Sequence, residues 1–467
     1  MKSIWGILLF AFLTIGCKPA PEENKSSSPL FDYVLAKDTS FRYELLKRIK
    51  GDGYTFYVAK MTSQHWLTPS EVNMTKWWHY VTVVVPDQYT YETGMMWIGG
   101  GSHKDSIPDK PDFVTQRVAR ATQSVVAQVT NIPFQPLMFP GDSVERYEDA
   151  IIAYGWRKFL EGGAKDEDAK WLSRLPMTDA VVSAMDVVQD ILQQKQHKPV
   201  NQFVVAGASK RGWTTWTTGA IDKRVVAIVP IVIDLLNVVP SFAHHYRSYG
   251  AWSHAVDDYV HEGIMDWMGS KEFNRLLEVT EPYSYRHLYT MPKLLINASG
   301  DEFFLPDSWK FYYDDLPGEK HLMYVPNSGH NVGRSDALQN LTSFYASILD
   351  NQPRPGYKWS IQDGHFDIQT DSIPPVEVKL WQAHNDSARD FRIDVLGPRW
   401  TSSPIPVSAD GHYRVEIATP TRGYSGFFVE LTYAGKLPLK VTTGIEVLPR
   451  TEPFGDYQPA VPKGTRP

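Results

Sequence analysis

The stretch NQFVVAGASKRGWTTWTTG, residues 201–219, reads as a short apolar strand over Phe203–Ala206, a sharp turn at Gly207-Ala208-Ser209, and a helix opening near Lys210. A serine on a strand-to-helix turn is pushed out of the sheet and sits at the positive end of a helix, which suits a nucleophile. The spacing departs from G-x-S-x-G: Arg211 occupies the place of the second small residue, and Gly212 follows one position later. Alone, Gly-x-Ser also fits an ordinary strand–helix turn, so its meaning depends on its partners.

Working outward, Val225–Ile233 (VVAIVPIVI) is a near-continuous apolar run of the kind buried on both faces of a parallel sheet, and Asp234 ends it. Lys293–Ala298 and Leu322–Val325 are two further strands, followed respectively by Ser299-Gly300-Asp301-Glu302 and by Pro326-Asn327-Ser328-Gly329-His330-Asn331. Ala337–Leu349 closes the series as a helix. Upstream, Thr55–Lys60, Trp78–Val85, Met95–Ile98 and Ser124–Val129 read as strands, and Asp112–Ala121, Glu145–Leu160 and Pro176–Leu192 as helices. This alternation predicts an α/β class fold, a doubly wound, mostly parallel sheet, spanning residues 31–352. Residues 235–291, rich in aromatics and histidine, have the texture of a helical cap inserted over the strand ends. Beyond Pro353 helical periodicity vanishes, and runs at 376–382, 391–395, 412–417, 426–433 and 441–447 predict an antiparallel β-sandwich (Ig-like) over residues 353–467.

Ser209, Asp301 and His330 each follow a predicted strand, in the Ser…Asp…His order of α/β-hydrolases. A serine hydroxyl is a poor nucleophile until an imidazole takes its proton, and a carboxylate fixes that imidazole's tautomer and stabilises its charge. Asp234, at the end of the preceding strand, is the rival acid. The oxyanion donors expected are the backbone N–H of Lys210 and one from Gly100 or Gly101, because Gly99-Gly100-Gly101 follows what reads as the third strand. The side chains of Lys210 and Arg211 would either hold an acidic substrate group or form a structural salt bridge. Glu145, Glu148 and Asp149 would either bind a substrate amine, with Glu148 the contact, or form a solvated helix N-terminus. His244, His245, His254 and His261 lack a metal-binding spacing, so no metal and no cofactor is expected.

The 467 residues, 42% hydrophobic and 13% aromatic with a net charge of −6, describe a globular chain without a basic block, so no nucleic-acid partner is expected. Lys2, the apolar run Ile4–Ile15 and Thr14-Ile15-Gly16-Cys17 read as an export signal over residues 1–17. The pattern is that of a bacterial lipoprotein, lipidated at Cys17; the alternative is a plain secretory signal. Cys17 is the only cysteine, so the mature fold has neither a disulfide nor a thiol nucleophile. Residues 18–30 read as a flexible tether. The destination expected is the periplasmic or cell-surface face of a membrane.

With Trp97-Ile98-Gly99-Gly100-Gly101-Ser102, Ala153-Tyr154-Gly155-Trp156-Arg157, Arg174-Leu175-Pro176-Met177, Gly207 to Trp213 and Arg389-Asp390-Phe391-Arg392, the chain resembles the PhoPQ-activated pathogenicity-related family, which includes the autocrine proliferation repressors. The resemblance covers most of the mature chain. It implies an α/β-hydrolase domain with a C-terminal β-sandwich, distantly similar to dipeptidyl peptidases. The run Ser209-Lys210-Arg211-Gly212 is also similar to the Ser-Arg-x-Gly elbow of glucuronoyl esterases. Two functions are open: an exported serine hydrolase cleaving a small-molecule ester or a peptide, and a catalytically silent binding or signalling protein on the same fold.

Overall fold

The computed structural model describes residues 28–362 and 364–466. The expected export signal, Cys17 and nearly all of the expected tether lie outside them. Pro29 and Leu30, placed at the end of that tether, instead open a helix capped by Ser28, and Leu30 is fully buried.

Helix α1 (Pro29–Leu35) is followed by strands β1 (Arg42–Lys50), β2 (Tyr54–His65), β3 (Lys76–Pro86) and β4 (Thr93–Ile98). Then come α2 (Phe113–Thr122), β5 (Val126–Val129), α3 (Asp149–Glu161), α4 (Arg174–Gln194), β6 (Gln202–Ala208), α5 (Lys210–Ile221) and β7 (Val225–Ile231). Helices α6 (Val238–Tyr249), α7 (Asp257–His261) and α8 (Lys271–Thr280) lie between β7 and β8 (Lys293–Ala298). β9 (Lys320–Val325) and α9 (Ala337–Leu349) complete the α/β part. The chain continues through β10 (Tyr357–Gln362), β11 (His365–Thr370), β12 (Glu377–Asn385), α10 (Ile393–Leu396) and β13 (Thr401–Ile405). It ends with β14 (His412–Glu416), β15 (Tyr424–Tyr433), β16 (Leu439–Thr442) and β17 (Glu446–Leu448).

Strands β5, β4, β6, β7, β8 and β9 are neighbours in that order and run parallel, with β3, β2 and β1 added antiparallel at the β5 edge. This is the α/β-hydrolase fold. From β4 the chain goes first to β5 on one side and later to β6 on the other. Loops leaving β4 and β6 therefore diverge, and such a switch point opens a crevice at the strand ends. The alternating pleat explains why two cores form. Phe203 and Val205 join one cluster with Met96, Trp213 and Trp216, while Val204 and Ala206 join the other with Val118, Leu341 and Phe344.

At the C-terminus β16, β15, β12 and β13 form antiparallel pairs, and a single bridge between Thr442 and Leu322 joins them to β9. A separate sheet, β10-β11-β14, contributes Phe366, Ile368 and Val415 to the same core as Val378, Val429 and Leu431.

The sequence reading missed β1, because RYELLKRIK keeps no strand residue fully buried and carries the charges that blunt a sheet edge. With β1 present, the glycine loop follows the fourth strand rather than the third. The run 391–395, expected as a strand, instead gives the short helix α10. There Arg392 is tied back onto Asp390, and Ile393 N–H donates to the carbonyl of Gly300 at 2.9 Å.

Candidate active site

β6 ends at Ala208 and α5 starts at Lys210, so Ser209 alone turns the chain. It does so at φ 58° and ψ −125°, a conformation that stores strain on the order of 1–3 kcal/mol in an L-residue. Ser209 N–H donates to the carbonyl of Ile231 at 2.8 Å, and Trp213 N–H donates to the Ser209 carbonyl at 3.0 Å, so both ends of the turn are pinned. The displaced glycine now has a reason. A Cβ on Gly212 would lie 2.9 Å from Ile233 Cγ2 and 3.0 Å from the Ile231 carbonyl oxygen, whereas at Gly207 it would lie 2.8 Å from the Arg211 carbonyl. The close approach falls on Gly212, and position 211 can carry a side chain.

The loops after β6, β8 and β9 meet. His330 Nε2 is 2.7 Å from Ser209 Oγ, and His330 Nδ1 is 2.9 Å from Asp301 Oδ2 and 3.0 Å from Oδ1. Asp301 is 3% exposed and accepts the Phe303 N–H at 2.8 Å, which fixes its carboxylate plane. The ring of Phe303 lies 4.3 Å from the imidazole, centroid to centroid. Nδ1 on a carboxylate and Nε2 on a hydroxyl is the arrangement in which imidazole can accept the hydroxyl proton. The rival Asp234 is elsewhere: it accepts Tyr312 OH at 2.6 Å and Tyr324 OH at 2.5 Å. Burial pushes its carboxyl up to about 7, against those two hydroxyls.

Lys210 N–H is the first of α5 and has no acceptor within the helix. Gly100 lines the cleft with Ser209 and His330; Gly101 does not, and its α-carbon faces Asp105 and Asn131 instead. Gly99 N–H is already spent on the Val129 carbonyl at 2.8 Å. Gly100 is thus the better placed of the two expected glycine donors.

Arg211 and Glu148, expected to contact substrate, are engaged with each other. Arg211 Nη2 is 2.5 Å from Glu148 Oε1, and Arg211 Nε donates to the Ile132 carbonyl at 2.6 Å. The guanidinium also fills the space where a Cβ on Gly100 would be, 2.8 Å from Nη2, so it buttresses the glycine loop. Lys210 Nζ lies 3.1 Å from Glu148 Oε2 and 2.9 Å from Asp149 Oδ2. Burial alone would raise Glu148, but the Arg211 and Lys210 cations outweigh it and hold the carboxyl at about 2. Glu145 pairs with Lys104 at 2.6 Å. The structural salt bridge is therefore the alternative realised.

Sequence reasoning overlooked the supports. Glu302 Oε2 accepts the His330 N–H at 2.6 Å, in a space kept open because residue 329 is glycine. Arg389 is buried against Asp307, Nη2 to Oδ2 at 2.5 Å, and Arg392 Nη1 donates to Ser253 Oγ at 3.1 Å. Ser253 Oγ in turn donates to the Glu302 carbonyl at 2.6 Å. The Arg389–Arg392 segment thus braces the Asp301 and His330 loops from the C-terminal region. The charges flanking Phe391 were the available signal. Of the cap histidines, His244 pairs with Asp307 and Glu452, and buried His245 accepts the Ser253 N–H at 3.0 Å. No group of three or more metal-ligating side chains occurs among the described residues.

Residues 30–392 match the profile of the PhoPQ-activated pathogenicity-related proteins. Autocrine proliferation repressor protein A of Dictyostelium discoideum is 37% identical, with 92% of each chain covered. Among solved structures, an acetyl xylan esterase of a Thermoanaerobacterium species is similar at 12% identity and TM-score 0.44, over 68% of this chain and 92% of its own. An acylaminoacyl peptidase of Pyrococcus horikoshii is similar at 13% identity and TM-score 0.40, over 68% of this chain and 51% of its own.

Proposed function

The chain belongs to the PhoPQ-activated pathogenicity-related protein family, and from that premise we propose that it is a serine hydrolase cleaving an ester or a peptide. Ser209 is the nucleophile, His330 the general base and acid, and Asp301 the group that orients His330. The observation that carries this reading is the continuous hydrogen-bond chain from Ser209 Oγ through both ring nitrogens of His330 to Asp301.

As Ser209 Oγ attacks the carbonyl carbon, its proton passes to His330 Nε2, and Asp301 stabilises the resulting imidazolium. The carbonyl oxygen becomes an oxyanion facing the N–H groups of Lys210 and Gly100, each such donor being worth on the order of 100- to 1,000-fold in rate. Collapse breaks the bond to the leaving group, which takes the proton from Nε2 and departs, leaving an acyl-serine. Water, deprotonated by His330, then cleaves that ester, releases the acid and restores the hydroxyl. A screen of the full chain against aryl esters and aminoacyl-arylamides should find turnover that falls on the order of 10⁴-fold or more in His330→Ala. Turnover unchanged by that substitution would remove the reading.

The enzyme acts at the periplasmic or cell-surface face of a membrane, held there by a lipid on Cys17; the export pattern of residues 1–17 supports this. Cys17→Ser should move the protein from the membrane fraction to the soluble one, and retention at the membrane would count against the anchor. The second reading, a silent signalling protein, is favoured by the name of the Dictyostelium relative, a proliferation repressor.

A further inference from the structure

Two cavities meet at Ser209, and Phe303 borders both. The larger, about 920 Å³, has His330 and Gly100 in its wall, together with Trp97, Phe113 and Leu338. The smaller encloses only about 40 Å³ and is walled by Trp156, Trp213, Leu235, Phe242, Val256 and Phe304, all buried. Ile233, Tyr259, Asp149, Lys210 and Arg174 line it too. Lys210 Nζ is paired with Asp149 at 2.9 Å; buried Arg174 donates from Nη1 to the Lys210 carbonyl at 2.8 Å, while its Nε has no hydrogen-bond partner among the described residues.

The position of the imidazole decides which half of a substrate enters which cavity. The leaving oxygen takes its proton from His330 Nε2. His330 borders the large cavity and not the small one, so the leaving group lies in the large cavity and the acyl group is left with the small. A water needs about 10–15 Å³ of such space, so the small cavity accepts about three water-sized groups. Its walls are close-packed aromatic and branched side chains, which resist expansion. A peptide held by its free N-terminal amine would also need carboxylates, and Glu145 and Glu148 are paired with Lys104 and Arg211.

Building on the hydrolase reading above, we propose that this small cavity is the acyl pocket, and that the substrates are esters of a short acid, acetyl in size, with a bulky alcohol carried in the large cavity. The full chain is assayed on p-nitrophenyl acetate, butyrate and octanoate. The kcat/KM expected on acetate exceeds that on butyrate by at least about tenfold, the discrimination a tight pocket gives against added methylenes, and octanoate is slower still. Leu235→Ala and Val256→Ala, each made separately in case one fails to fold, should shift the preference toward butyrate. Octanoate cleaved by the wild type as fast as acetate, or a preference unmoved in both folded variants, would overturn the acyl-pocket assignment alone. A chain that cleaves none of the esters and does not react with a fluorophosphonate would overturn this assignment and the hydrolase reading together.

Discussion

Strands β7 and β8 lie side by side, and each is followed at its C-terminal end by a buried aspartate. Asp234 and Asp301 are both 3% exposed, yet their surroundings give them opposite chemistry. Asp301 faces the imidazole of His330, which in the proposed mechanism would gain a proton from Ser209, so its charge would have a partner when one is needed. Asp234 is held between the hydroxyls of Tyr312 and Tyr324, and burial pushes it up to about 7. A carboxylate at a strand end is therefore not yet a catalytic group. What the following loops bring to it decides: the loop after β9 brings His330 to one, while the segment after β8 and β9 itself bring tyrosines to the other.

The largest effect that separates the two is on turnover. Asp301→Asn should lower kcat on the order of 10⁴-fold by spoiling the imidazole tautomer, while Asp234→Asn should leave it close to wild type. Equal losses in the two variants, measured on one ester, would erase the distinction. The next effect is on stability against pH. Between 3.8 and about 7 folded Asp234 keeps a proton that the unfolded chain has released, so its contribution weakens as pH rises through that window. Asp234→Asn should flatten this part of a melting-temperature profile. The smallest effect belongs to Glu148, where the sign reverses. Its carboxyl, lowered from 4.5 to about 2, stabilises the fold above 4.5 and ceases to do so as pH falls toward 2. Its side chain is 35% exposed, so solvent screens the interaction. Glu148→Gln should lose less stability on acidification than wild type, and an unchanged acid limb would show that the pairs with Arg211 and Lys210 contribute nothing measurable.

The parallel core was legible because its strands are continuous apolar runs, VVAIVPI in β7 above all, alternating with amphipathic helices. The three loop residues were legible because each follows such a run. The uses of Arg211 and Glu148 were not, since they depend on a pairing 63 residues apart in sequence. Gly101 turns away from the cleft at φ 123°, which no spacing rule announces. Edge strand β1 carries charged residues at most positions and two adjacent leucines, so its period of two is hidden. Phe391 to Val395 is apolar enough for a strand, but its backbone is drawn toward Gly300 by a distant contact.

The central claim is that His330 activates Ser209 as a nucleophile. It is tested most directly by reacting the full chain with a fluorophosphonate and measuring the mass of the peptide that contains residue 209. A covalent adduct is expected on Ser209 in the wild type and none in Ser209→Ala. A folded wild type that stays unmodified, or equal labelling of the two proteins, would contradict it.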